Sequence, residues 1–188
     1  MIRWVRRFIR EYPGRAALLA GLGLALFVFG MVWFEPHKLF VDQRVDESLP
    51  TTMAAEQATP VSPAPGDPSP EPEGPTILAR GRWHSLEHET TGKVQIVELP
   101  GGKRILRFED LATSNGPDLR VYLSEIPESE DWHAYGERFV DLGDLKGNLG
   151  SQNYRIPKGT DLSQVQSAVI WCRRFEVGFA VAGLTFAD

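Results

Sequence analysis

The chain has 188 residues, 20 basic and 25 acidic side chains, a formal net charge of −5 and one cysteine, Cys172. Residues 1–15 hold five arginines against Glu11, so the front carries +4 and the remainder −9, and an acidic body lacks the clustered cations that neutralise phosphates. This excludes nucleic acid as an expected partner, and a single thiol excludes an intramolecular disulfide framework.

The first element after the basic residues 1–15 is the run from Ala16 to Phe34, nineteen residues with no charged side chain. As a helix it spans about 28 Å, close to the hydrocarbon thickness of a bilayer, and it is apolar all round. The spacing predicts a single transmembrane helix at 16–34. The arginines before it predict a cytoplasmic N-terminus and a C-terminal region outside the cytoplasm, in the cell envelope. Bulky residues at the end of the run, Met31-Val32-Trp33-Phe34, stand where a signal peptidase needs small ones, so the helix is expected to be retained as a signal anchor.

Residues 35–76 read as a linker. Eight prolines (50, 60, 63, 65, 68, 70, 72 and 75) lie among Ala, Ser, Thr and acids, a composition that buries too little to order itself and predicts a disordered, extended spacer lifting the C-terminal region off the membrane. Leu39, Phe40, Val41 and Val45 interrupt it with an apolar patch whose docking place the sequence does not decide.

From residue 77 to 188 the pattern changes to short β-branched and aromatic runs punctuated by Gly, Pro, Asn and Asp. It predicts an all-β domain, an antiparallel sandwich or barrel, with strands near Ile77–Trp83, Lys93–Leu99, Arg104–Phe108, Leu119–Ser124, Phe139–Leu142, Asn153–Ile156, Ser167–Arg173 and Glu176–Thr185. Leu99-Pro100-Gly101-Gly102-Lys103 carries hairpin-turn chemistry, and the last two strands, the most apolar, are expected at the centre.

No nucleophile elbow, phosphate loop, zinc-protease helix or C-x-x-C is present, so enzymatic activity is left open. The glycines of Gly143-Asp144-Leu145-Lys146-Gly147-Asn148-Leu149-Gly150 match no dinucleotide fingerprint and read as turn residues. Cys172 ends the apolar run Ala168-Val169-Ile170-Trp171. Read from the residues alone it is a buried core thiol, a ligand for haem or a metal ion, a redox thiol, or a cross-link to a second chain as a disulfide-linked dimer. His84 and His88 stand about 13 Å apart if extended, which argues against a shared metal, and His88 is the candidate second ligand beside Cys172.

The succession Gly81-Arg82-Trp83, His88, Gly92-Lys93-Val94, Gly116-Pro117-Asp118-Leu119, Leu145-Lys146-Gly147-Asn148-Leu149-Gly150-Ser151-Gln152-Asn153-Tyr154 and Trp171-Cys172 resembles the DM-thirteen domain, a β-rich module associated with electron transfer at cell surfaces. The resemblance covers 77–188. It implies that Cys172 is the family's cysteine, a free redox thiol or the holder of a prosthetic group such as haem. Two functions are therefore expected: a membrane-tethered redox domain serving a partner outside the cytoplasm, or a cell-envelope binding or scaffold module whose cysteine is structural.

Overall fold

A computed structural model describes residues 6–7, 10–34, 41–50 and 74–187; residues 35–40, with Leu39 and Phe40, and the Pro-rich stretch 51–73 lie outside the described residues. One helix, Pro13–Phe34, is long and apolar enough to cross a membrane, with a mean hydropathy of 2.2 over its best window and no part of that window buried in the protein. At 22 residues it measures about 33 Å.

The C-terminal part is an antiparallel β-sandwich, as the turn and strand signals predicted. Ten strands run in order: β1 (Thr76–Arg82), β2 (His84–Ser85), β3 (Thr91–Leu99), β4 (Lys103–Ala112), β5 (Leu119–Ser124), β6 (Phe139–Asp144), β7 (Leu149–Arg155), β8 (Ser167–Cys172), β9 (Val177–Gly183) and β10 (Thr185–Phe186). One sheet has the order β10-β1-β3-β4-β7 and the other β2-β9-β8-β5-β6. β8 sits in the middle of its sheet, and all six of its residues are buried, because Ala168-Val169-Ile170-Trp171 is apolar on both faces. One face joins the inter-sheet core of Val94, Ile96, Leu106, Phe108, Val121, Ile170 and Phe179. The other lies under a loop that presses Tyr135 onto Tyr122, Val169, Trp171 and Val181.

The β3–β4 turn forms where the sequence put it, with Gly101 and Gly102 at φ 85° and 72° and the Gly102 amide donating to Leu99 O. β7 begins four residues earlier than expected, since Gly150 within it masks the strand pattern.

The largest difference from the sequence reading concerns 41–50, which it assigned to the linker. These residues lie extended along β7, parallel to it: Val45 N donates to Leu149 O (2.9 Å), Glu47 N to Ser151 O (2.8 Å), and Leu149 N to Gln43 O (3.2 Å). Their partners are about a hundred residues away, so no local pattern announces them. This segment runs from beside Asn115 at one end of the sandwich to beside Asn153 towards the other. Thr76, where β1 starts, pairs with Glu98 at that same far end and lies four strand spacings across the same sheet, about 19 Å. The chain between Pro50 and Thr76 therefore starts and finishes on one sheet, and the distance from helix to domain is set by residues 35–40 instead.

The protonation of buried groups gives the fold an alkaline limit. Burial raises the pKa of Tyr122, Tyr135, Tyr154 and Cys172. Above the ordinary pKa values of about 8.5 for Cys and 10 for Tyr, the unfolded chain releases protons that the folded one keeps. Their contribution is thus complete below about pH 8 and declines as pH rises above it. The melting temperature of the sandwich, read by near-ultraviolet circular dichroism, is expected to fall steadily from about pH 9 to pH 11.

Candidate functional site

The sequence motifs converge at one end of the sandwich. β8 and β5 are paired so that Cys172 faces Leu119, the first residue of β5, and β9 starts opposite at Val177. β4 ends and β7 begins at this end too, with Ala112 opposite Leu149. The loops that join these strands are stitched together: Thr113 N donates to Asn148 O, Leu145 N to Leu119 O, and Arg173 N to Asp118 O.

Cys172 is fully buried in this end. Its Sγ donates to Pro117 O at 3.2 Å, and the backbone amides of Phe175 and Arg174, in the β8–β9 turn, hydrogen-bond the sulfur. Burial pushes the thiol pKa up, and the two amides, which would favour the thiolate, only partly oppose it. The neutral thiol is the resting form at neutral pH.

The Gly116-Pro117-Asp118-Leu119 motif builds this enclosure. Gly116 admits the Phe179 ring, which lies 2.9 Å from where a Cβ would stand. Asp118 turns the chain into β5 at φ 61°, a left-handed conformation that Asp tolerates, and its carboxylate accepts from Arg173 Nε at 2.9 Å. The motif thus grips the sulfur from one side and the residue after it from the other.

The Lys146–Tyr154 motif works as a cradle for the 41–50 segment. A Cβ on Gly147 would collide with Gln43 O, and one on Gly150, at φ 96°, with Val45 O. Asn148 accepts from Gln43 N (2.7 Å) and donates to Asp42 Oδ1 (2.9 Å), while Lys146 Nζ pairs with Glu47 at 2.7 Å. Asn153 N donates to Glu47 Oε2 (2.7 Å), and Asn153 Nδ2 to Ser48 O (2.8 Å). Gln152 and Tyr154 face inward, where the tyrosine hydroxyl donates to Gln152 Oε1 and accepts from Lys146 N. The sequence reading took these glycines for turns; they are places of close approach for a second backbone.

Glu47 responds to this cradle. Its partial burial would raise its pKa, but the bonds from Lys146 and Asn153 outweigh this and hold it below the usual range. The stabilisation is present above about pH 4.3 and is lost as pH falls through the lowered value. Glu47→Gln copies the protonated form, and trypsin cleavage after Arg44 in the docked segment is expected to accelerate about threefold at pH 7, the scale of a partly exposed pair.

His88, the sequence candidate beside Cys172, lies on the loop after β2, half-buried, its ring 3.9 Å from that of Phe179. The sulfur's hydrogen bonds go to Pro117, Arg174 and Phe175, not to this imidazole. His84 stands apart, with Nε2 3.0 Å from Glu130. Among the described residues no three of His, Cys, Asp and Glu gather as metal ligands. Two clefts of about 590 and 550 Å³ flank the Cys172 strand end, and Arg173 lines both, but the sulfur lines neither. Cys172 is fully buried and lines neither cleft, so a haem or metal ion could reach the sulfur only if this end of the sandwich opened.

Fold and site define a β-sandwich module with one enclosed thiol at the end where its loop motifs meet. Residues 82–184, more than half of the chain, match the family described as electron transfer DM13, and the chain belongs to that family. Comparison with curated proteins and with solved structures gives no match. Residues 41–50 precede the matched region and dock on β7, which lies within it.

Proposed function

We propose that the protein is a membrane-anchored electron-transfer domain held outside the cytoplasm, with Cys172 as its redox group and a partner protein of the cell envelope as its counterpart. The observation that carries this reading is the setting of the only thiol: on a central strand, at the end where the family motifs converge, with two turn amides and one carbonyl directed at it. The basic N-terminus before the apolar helix supports the orientation.

The exchange takes the form of thiol–disulfide chemistry. A partner disulfide opens the 173–176 turn, and the Cys172 sulfur, losing its proton, attacks one partner sulfur. The partner S–S bond breaks as the Cys172–partner S–S bond forms, and the proton goes to the released partner sulfur, which leaves as a thiol. The amides of Arg174 and Phe175 stabilise the thiolate while it forms. His88 packs the Phe179 side of the same end and is a positioning residue in this reading.

The test uses oxidised glutathione as the disulfide. The full chain in detergent is expected to gain one glutathione, located on Cys172 by mass spectrometry, at a rate that increases with pH, and Cys172→Ala abolishes the adduct. A folded chain that acquires the adduct only as fast as it unfolds globally would overturn the redox reading and leave a structural cysteine in a binding or scaffold module.

A further inference from the structure

The helix ends at Phe34, and the segment docked on β7 is in place from Val41. Seven residue steps reach at most about 25 Å. The segment enters beside Asn115, whose Nδ2 donates to Val41 O at 3.1 Å, so the chain arrives at the Cys172 end of the sandwich and not at the far end, where the 99–103 turn and residues 157–163 lie. The β8–β9 turn faces the same way. Arg174 stands over the ring of Trp33, in the last turn of the helix, with its guanidinium carbon 5.5 Å from the ring centroid. Phe175 beside it is 48% exposed.

Several other charges of this end are already matched, while Glu176 in the same turn is exposed and in no ion pair among the described residues. Arg173 pairs with Asp118, Arg120 with Asp141 and Asp144, and Asp42 with Asn148. Arg174 has no carboxylate partner among the described residues, and its Nη1 is buried with no hydrogen-bond partner. A buried guanidinium nitrogen without an acceptor costs free energy, and because the side chain as a whole is only half-buried, turning it outward would exchange that cost for an acceptor outside the protein. Next to the last turn of an apolar helix, where Trp rings favour the membrane interface, the acceptor at hand is a lipid phosphate.

Resting on the membrane-anchored reading above, we infer that the sandwich sits on the bilayer with its Cys172 end against the lipid, Arg174 bound to the phosphate of an anionic headgroup and Phe175 in the interface. The redox partner then meets Cys172 at the membrane plane, which specifies a membrane-embedded protein and not a freely diffusing one.

The experiment is hydrogen–deuterium exchange on the full wild-type chain in nanodiscs. Amides of 173–176 are expected to exchange about fivefold more slowly in phosphatidylglycerol-containing discs than in pure phosphatidylcholine discs, the scale of one basic side chain at an anionic surface. Amides of 157–161 at the far end should exchange equally in both. Arg174→Gln is expected to remove the difference, although the wild-type comparison stands without it. Equal exchange at 173–176 in both discs overturns the inference. So does an equal slowing when inorganic phosphate is added to phosphatidylcholine discs, because that marks a soluble-anion site. A chain that fails to float with vesicles after a carbonate wash removes the anchored reading itself, a result distinguishable from either of these.

Discussion

Cys172→Ser is expected to leave the sandwich folded and to eliminate disulfide exchange, while Cys172→Ala eliminates exchange and also weakens the fold. The distinction comes from the sulfur's hydrogen bonds. Sγ donates to Pro117 O and is the acceptor for the amides of Phe175 and Arg174, all in a site closed to water. A serine hydroxyl can make both kinds of bond, so only the poorer fit of a smaller, more polar atom remains, about 1 kcal/mol. Alanine leaves two turn amides and a carbonyl short of a partner and adds a small cavity, for a loss of about 2–3 kcal/mol. Urea unfolding of the two variants beside wild type measures the order, and glutathione uptake measures the chemistry. Serine within about 1 kcal/mol of wild type, above alanine in stability and with no uptake, separates the redox role of the sulfur from its packing role. Cys172 is the one cysteine of the chain, so Cys172→Ser and Cys172→Ala carry no thiol and serve as the blanks for glutathione uptake.

The sandwich was legible because its strands announce themselves. Ala168-Val169-Ile170-Trp171-Cys172 is apolar at every position, as a central strand must be, and Leu119–Ser124 was readable to the residue from its β-branched and aromatic content. The turn at Gly101-Gly102 needed two positive φ values, and two glycines declared it. Cys172 drew attention as the one thiol, but its enclosure by Pro117 O and two turn amides depends on a loop 55 residues earlier and left no local mark. The site's other half was misread for a related reason. Gly147 and Gly150 look like turn glycines because sequence records only that a side chain is missing, not what fills the space. What fills it is backbone from Gln43 and Val45, in a stretch that composition assigned to a linker. β2, two residues long, carried no pattern at all.

That cradle leads to the second large effect. Gly150→Ala is expected to release Val41–Pro50 from β7. The new methyl meets Val45 O, and Asp46 Oδ1 is also in its way, while φ 96° is a conformation that alanine adopts only with strain. The first obstacle is backbone, the carbonyl of a residue whose amide pairs with Leu149 O, and it cannot turn aside as the Asp46 carboxylate can. Strain of this kind costs about 1–3 kcal/mol before the clash is counted, and the segment can avoid the clash only by leaving. Trypsin cleavage after Arg44 should therefore rise on the order of 100-fold, tracking the population of the released form. The sandwich keeps both of its sheets, since β7 retains its pairing with β4, so its thermal midpoint should fall far less than the cleavage rate rises. If the domain is seated on the membrane by this segment, release also lengthens the tether from six residues to about forty. Protection of amides 173–176 in phosphatidylglycerol discs should then be lost in Gly150→Ala even though Arg174 is intact. A variant that is cleaved rapidly after Arg44 yet keeps that protection would show that the β8–β9 turn holds the bilayer unaided; loss of both places the seat in the segment that connects helix to sheet.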